Sequence, residues 1–314
     1  MMRVLRLTFR INRFEVLSVG ALGTLTVLGG MFVIWRIAGL GISPACFQAI
    51  EAGVFSGGCE DQFRAFQDVV GRFGQLVIVL GAFFPVVGGL LVGGPAIARE
   101  IERGTARLAW SMSPSRWRWY AHRVLPMLAF LLVVAFAVGV TLDRLMGATN
   151  PTEDLANSFT DFRMRGVLVA TEAAVVAATG LAVGAVLGRS VPTFLLSLIL
   201  GGLVIYGGVA NLHRSVLLGE AELQVCCETF TPGELYLDSR FQLPDGRLVG
   251  YEELPALGPE ISQLAFEGQL PQVTLVIPGS RYREVETREA AAHAGIVAAL
   301  LVVAAVVVDR RRPA

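Results

Sequence analysis

Six long runs without a charged side chain dominate this chain of 314 residues. They cover residues 16–35, 73–98, 124–142, 173–188, 190–212 and 290–308. A helix needs about 20 mainly apolar residues to cross the hydrocarbon core of a bilayer. The runs therefore predict an all-α polytopic membrane protein with six transmembrane helices, over about residues 16–38, 74–98, 124–142, 166–188, 190–212 and 290–308.

The distribution of arginine predicts the orientation of these spans. With the N-terminus inside, the inner segments 1–15, 99–123, 189 and 309–314 hold 14 arginines and four acids. The outer segments 37–72, 143–165 and 213–289 then hold 11 arginines and 21 acids. Because short cytoplasmic loops carry an excess of Arg and Lys, we expect both termini inside the cell.

The chain contains no lysine, and all 26 of its basic residues are arginine. This excludes a standard P-loop, whose lysine contacts the phosphates, and it excludes lysine Schiff bases. Three His and four Cys leave little material for a metal site, and none is predicted. The Arg-, Ala- and Gly-rich composition is typical of GC-rich bacterial genomes, so we expect a bacterial plasma membrane.

Residues 2–14 form an amphipathic segment. Arginines recur at a spacing of three or four on one helical face: Arg3, Arg6, Arg10 and Arg13. Apolar residues of the same segment share another face. The pattern predicts an interfacial helix whose basic face meets anionic lipid. An ordinary basic flank to the first span is the alternative.

Glu172 is an acid inside the fourth predicted span. Ionisable residues within a membrane are costly and commonly functional, so Glu172 is a candidate for the substrate path. The alternative is a structural role, in which Glu172 reaches the outer interface or pairs with Arg36 or Arg165.

Residues 213–289 are predicted to form a small mixed α/β extracellular insertion between spans five and six. Residues 236–243 and 247–251 flank Pro244-Asp245-Gly246, which is typical of a hairpin turn. A β-branched segment at 273–277 predicts a further strand, and residues 259–266 a short helix.

All four cysteines fall on the outer side in this topology, where an even number suggests disulfides. A bond between the neighbours Cys226 and Cys227 would be strained. Pairing of Cys46 with Cys59, cross-loop pairs and free thiols all remain open.

The segment PAIAREIERGTARLAWSMSPSRW at 95–117 resembles the region between spans two and three of ABC transporter permeases of the type-2 family. The shared pattern is an acid, Gly-Thr, an apolar stretch, then a small residue and Arg before the third span. Here those positions are Glu100, Gly104, Thr105, Leu108, Ser115 and Arg116. Six spans and a basic amphipathic N-terminus strengthen the resemblance.

The resemblance implies a transmembrane permease subunit of an ATP-driven exporter rather than an enzyme. Its partners would be two ATP-binding subunits, a second permease chain that is identical or related, and membrane lipid, with no nucleic acid. ATP and Mg would lie on the partner subunits, with no cofactor in this chain. Residues 99–123 would be a cytoplasmic coupling loop that contacts those subunits through Glu100, Glu102, Arg103, Gly104, Thr105, Arg107, Leu108, Trp110 and Arg116.

Several alternatives stay open at this point. Glu100 could instead pair with Arg103 or Arg107 within its own helix. The whole chain could be a permease-like subunit that senses or regulates, a carrier not driven by ATP, or an intramembrane enzyme using Ser190 or Ser197. Because the spans offer few polar groups, a hydrophobic or amphipathic substrate is favoured.

Overall fold

The computed structural model describes residues 8–53, 57–113, 115–225 and 233–311. Within these residues, six helical runs are long and apolar enough to cross a membrane. They are Arg13–Gly39, Gly58–Glu102, Arg116–Thr149, Gly166–Leu187, Ser190–Glu220 and Gly279–Arg310. The prediction of a mainly helical chain with six candidate spans and a small sheet is confirmed.

The described helices are α1 Arg13–Gly39, α2 Pro44–Glu51, α3 Gly57–Val69, α4 Gln75–Glu102, α5 Thr105–Met112, α6 Arg116–Thr149, α7 Gly166–Leu187, α8 Ser190–Gly202, α9 Ala210–Glu220, α10 Pro259–Phe266 and α11 Tyr282–Arg310. Two π-helical turns, Val70–Gly74 and Leu203–Val209, join α3 to α4 and α8 to α9. The strands are β1 Glu222–Val225, β2 Leu235–Gln242, β3 Leu248–Gly250 and β4 Gln272–Ile277.

The chain divides into two compact units. A helical unit comprises residues up to 152, residues 163–209 and residues from 286 onward. A second unit comprises residues 153–162 and 210–285 and contains the sheet.

Helix α7 is the centre of the helical unit, and most of its residues are buried. It is built largely from Ala, Gly and Val, and such small residues let neighbouring helices approach closely. One such close approach is to α4, where a Cβ atom on Gly93 would overlap the backbone of Ala177. Glycine at this position therefore permits α4 and α7 to pack backbone against backbone.

The second unit contains a four-stranded antiparallel sheet in the order β1-β4-β2-β3. The predicted hairpin is present, with Phe241 paired to Val249 and Gly246 in the turn at φ +83°. In that turn, hydrogen bonds from Arg247 hold the pKa of Asp245 below its usual value. The predicted strand at 273–277 and the short helix at 259–266 are also present, as β4 and α10.

Candidate functional site

The loop between α4 and α6 contains a short helix of its own. Residues 99–110 look continuously helical in sequence, yet the helix ends after Glu102 and restarts as α5. The break is at Gly104, whose φ of +73° lies in the left-handed region that favours glycine. A glycine just past a helix end is a common way to stop a helix. The Gly-Thr pair of the resemblance therefore sets the direction of α5.

Helix α5 has one face packed against the protein and one face exposed. The Trp110 ring contacts the Trp119 ring edge-to-face with centroids 5.9 Å apart, and the Arg116 guanidinium lies 4.9 Å from the Trp110 ring centroid. Leu108 and Met112, one turn apart, are 64% and 72% exposed. Of the two apolar residues predicted to contact a partner, Leu108 is thus on the open face, whereas Trp110 packs within the chain.

Two ion pairs join the residues next to this loop to other helices. Arg99 pairs with the buried Glu15 of α1, and Arg123 pairs with Glu100. The side chains of this second pair are both largely buried. Glu100 therefore bonds across to α6, which corrects the alternative that it pairs with Arg103 or Arg107.

Glu102 caps the start of α8. Its Oε2 atom accepts hydrogen bonds from the backbone N–H of Ser190 at 3.0 Å and from the Ser190 hydroxyl at 2.6 Å. A carboxylate at a helix N-terminus satisfies unpaired N–H groups and complements the helix dipole. The end of α4 is thereby joined to α8.

Two arginines donate hydrogen bonds to backbone carbonyls at the carboxyl ends of α11 and α7. Nη1 of Arg116 donates to the carbonyl oxygens of Asp309 and Arg311, each at 2.7 Å. Arg311 in turn donates to the carbonyls of Ala185 at 2.5 Å and Val186 at 3.3 Å. Cations complement the negative end of a helix dipole. These bonds connect the start of α6 to the ends of α11 and α7.

At the N-terminus, the described residues begin at Thr8, so Arg3 and Arg6 lie outside them. Arg10 and Arg13 are exposed. Three polar residues of the same segment are buried on another face, namely Thr8, Asn12 and Glu15. Sequence reasoning treated this segment as basic versus apolar and missed this third face, although the spacing of four and three was visible.

A second polar group lies at the end of α7 far from Arg311. Glu172 is 5% exposed, and its electrostatic neighbours are Arg163 and Glu289. Arg163 Nη2 lies 3.0 Å from Oε1 of Glu289. Arg165 is paired with Asp143 at 2.8 Å, so Arg163 rather than Arg165 is the nearby cation.

Helix α11 contributes a buried polar face that sequence reasoning did not single out. Glu286, Glu289 and His293 are all less than 5% exposed. Nδ1 of His293 lies 3.1 Å from the hydroxyl of Thr171 on α7. The spacing of three and four places these residues on one helical face, and that was the available signal.

Among the cysteine pairings left open, the structure contains the bond between Cys46 and Cys59, with Cα atoms 5.7 Å apart. Cys226 and Cys227 lie outside the described residues. Within the described residues, no group of three or more His, Cys, Asp or Glu side chains is placed to hold a metal ion. Ser190 donates to Glu102, and the buried Ser197 hydroxyl has no hydrogen-bond partner in the described chain, so neither is activated by a histidine there.

Six helical runs long and apolar enough to cross a membrane are the mark of a multi-pass membrane protein. The family model described as ABC-2 membrane transporter related matches residues 20–211. The chain belongs to this family, which confirms the resemblance read from its loop, and it is a permease-type membrane subunit. No curated protein and no solved structure matches the chain.

Proposed function

We propose that this chain is the permease subunit of an ATP-driven exporter and that helix α5 docks onto a separate ATP-binding subunit. The observation that supports this most directly is the exposed apolar pair on α5, which we name the docking face: Leu108 and Met112. Apolar anchors at the centre of an interface commonly contribute most of its binding energy. Glu102 and Arg103, which precede α5 in the chain, are exposed and would supply polar contacts.

The contacts around the loop support a mechanical role as well. A force applied to α5 reaches α6 through Trp110 and Trp119, whose rings touch. It reaches α1 through the pair of Arg99 with Glu15. Because a coupling loop must move several spans at once, a loop bonded to many helices suits that task.

The rest of the proposal follows from this assembly. Two ATP-binding subunits would hold ATP and Mg and sit beneath two permease chains, in a bacterial plasma membrane. The loop 99–123 and both termini would be cytoplasmic, and residues 213–289 would be outside. The substrate would be hydrophobic or amphipathic, and its path would pass Glu172.

The test introduces charge on the docking face. Leu108→Glu and Met112→Glu would each be co-expressed with the proposed ATP-binding subunit. We expect recovery of that subunit by affinity purification to fall about tenfold or more, because truncating a buried anchor commonly costs about 2 kcal/mol. Substrate-stimulated ATPase activity should fall with it.

The matched control is Phe266→Glu, which places the same charge on an equally exposed apolar residue of the second unit. It should leave recovery unchanged. If both variants of the docking face retain full assembly and stimulated ATPase activity, α5 is not the coupling element and the proposal fails.

A further inference from the structure

Within the helical unit, four side chains from different segments form a group that we name the Glu172 cluster. Its members are Arg163, Glu172, Tyr206 and Glu289. Arg163 forms an ion pair with Glu289 at 3.0 Å, and its guanidinium carbon lies 5.8 Å from the Tyr206 ring centroid. Helix α7, which carries Glu172, packs against the π-helical turn that carries Tyr206, and the charges of Arg163 and Glu289 act on Glu172.

Glu172 is the carboxylate of this cluster that forms no ion pair with Arg163. It is 5% exposed, and its Oε1 atom is fully buried without a hydrogen-bond partner in the described part of the chain. Arg163 approaches Glu289 and does not reach Glu172 within salt-bridge distance. A buried acceptor without a donor is costly, so an external donor would bind here favourably.

The chemistry of the cluster fits a cation. An aromatic face and carboxylates together are the groups that recognise ammonium and guanidinium ions. The chain's own guanidinium, on Arg163, already lies near Tyr206 and beside Glu289. Since Arg163 occupies one carboxylate, Glu172 is the second carboxylate that a ligand's cation can use.

The cluster also has an accessible edge. The side chain of Arg163 is 29% exposed, and Tyr206 is 60% exposed. Tyr206 lies in the π-helical turn Leu203–Val209, and such turns within helices are frequent at functional sites. The exposed Tyr206 ring is therefore the side of the cluster that a ligand head group can reach first.

We propose that the Glu172 cluster binds the primary ammonium head group of an amphipathic molecule. The ammonium donates a hydrogen bond to the Glu172 carboxylate and lies against the Tyr206 ring, while the apolar part stays among the spans. This inference rests on the proposed transport function and adds the charge and head-group chemistry of the substrate.

The test uses dansylcadaverine, a primary ammonium linked to an apolar fluorescent ring. It is titrated against the purified chain in lipid nanodiscs, and the signal from empty nanodiscs is subtracted. We expect saturable binding whose Kd rises about tenfold in Glu172→Gln, because a charge-assisted hydrogen bond is lost. Tyr206→Leu should raise Kd about threefold through loss of the cation–π contact.

Two controls make the result specific. Thr179→Val changes another buried polar residue of α7, whose hydroxyl is already bonded to the carbonyl of Val175 at 2.8 Å, and it should leave Kd unchanged. The N-acetylated probe, which is neutral, should bind the wild type as weakly as dansylcadaverine binds Glu172→Gln. Equal Kd values for wild type and Glu172→Gln, or equal binding of the two probes, would overturn the inference.

Each variant is first checked for monodispersity by size-exclusion chromatography. If Glu172→Gln does not remain folded, Glu172→Asp and Tyr206→Leu carry the test, and unchanged affinity in both contradicts the inference. The assay contains no ATP-binding subunit, so its outcome is separate from that of the docking-face experiment. Failure of docking with retained binding rejects the proposed function alone, and the reverse rejects only this inference.

Discussion

The two ends of helix α7 are built differently. At its carboxyl end, the carbonyls of Ala185 and Val186 accept hydrogen bonds from Arg311, which is joined through Arg116 to the loop between α4 and α6. Thirteen residues before Ala185 lies Glu172, a buried acid whose Oε1 atom has no hydrogen-bond partner in the described part of the chain. The carboxyl end of α7 is thus held by hydrogen bonds from Arg311. Near the other end, the Oε1 atom of Glu172 is a buried acceptor without a donor among the described residues.

A comparison of two buried acids makes the same point. Glu15 and Glu172 are 3% and 5% exposed. Glu15 has the ion pair with Arg99, whereas Glu172 has only the long-range influence of Arg163 and Glu289. Since both acids are similarly buried, they differ mainly in whether an ion-pair partner is present. Arg99 lies within ion-pair distance of Glu15, whereas Arg163 pairs with Glu289 and forms no salt bridge with Glu172.

The largest expected effect tests the comparison between Glu15 and Glu172. Arg99→Leu should destabilise the chain by about 3 kcal/mol, because it leaves the Glu15 carboxylate buried without its cation. Adding Glu15→Leu should recover most of the loss. By contrast, Glu172→Leu should raise the free energy of unfolding by about 1 kcal/mol, because it replaces a buried acid that has no ion-pair partner by an apolar side chain. Thermal unfolding in detergent measures all four proteins.

Phe14→Ala serves as a control for local packing, because it changes an exposed neighbour of Glu15 and should unfold like the wild type. A loss of stability in Glu172→Leu as large as that in Arg99→Leu would show that both acids are structural. The distinction between the two ends would then be wrong.

The next largest effect concerns the link from the loop to α7. Arg116→Ala removes two hydrogen bonds to the end of α11 and should lower the free energy of unfolding by about 1–2 kcal/mol. Arg116→Lys should retain part of this, because an ammonium lacks the planar fork of the guanidinium. Differential scanning fluorimetry checks the order of the three proteins.

Arg118→Ala is the matched control, since Arg118 is an exposed arginine two residues away on the same helix. If its effect equals that of Arg116→Ala, the bonds to the carbonyls of Asp309 and Arg311 contribute nothing specific. The mechanical link from the loop to α7 would then be absent.

Much of the fold could be predicted because its signals are local. The absence of charge over a span is visible in any single run, and Pro244-Asp245-Gly246 encodes its turn in three residues. The helix break at Gly104 was not predicted, because no residue in 99–110 other than this glycine disfavours a continuous helix.

Pairing across helices could not be predicted. Arg103 and Arg107 are both within helical reach of Glu100 in sequence, so only the packing of α4 against α6 selects Arg123. The same holds for His293, whose contact with Thr171 depends on which face of α11 meets α7. Glu172 was recognised as unusual from sequence alone, but its neighbour Arg163 required the structure.

The smallest expected effect concerns Glu102, which joins the end of α4 to the start of α8. Glu102 is exposed and caps α8 through Ser190, so Glu102→Gln should lower the melting temperature less than Arg116→Ala does. Glutamine keeps an acceptor for the N–H group and loses only the charge at the helix N-terminus. Because exposed charges are screened by salt, the difference between Glu102→Gln and wild type should shrink further at about 1 M salt.

Ser190→Ala combined with Glu102→Gln should add little to either change alone, because the two residues share one contact. If Glu102→Gln lowers the melting temperature as much as Arg99→Leu does, or if its effect grows with salt, this prediction is wrong. The cap on α8 would then stabilise the protein as much as the buried pair of Glu15 and Arg99.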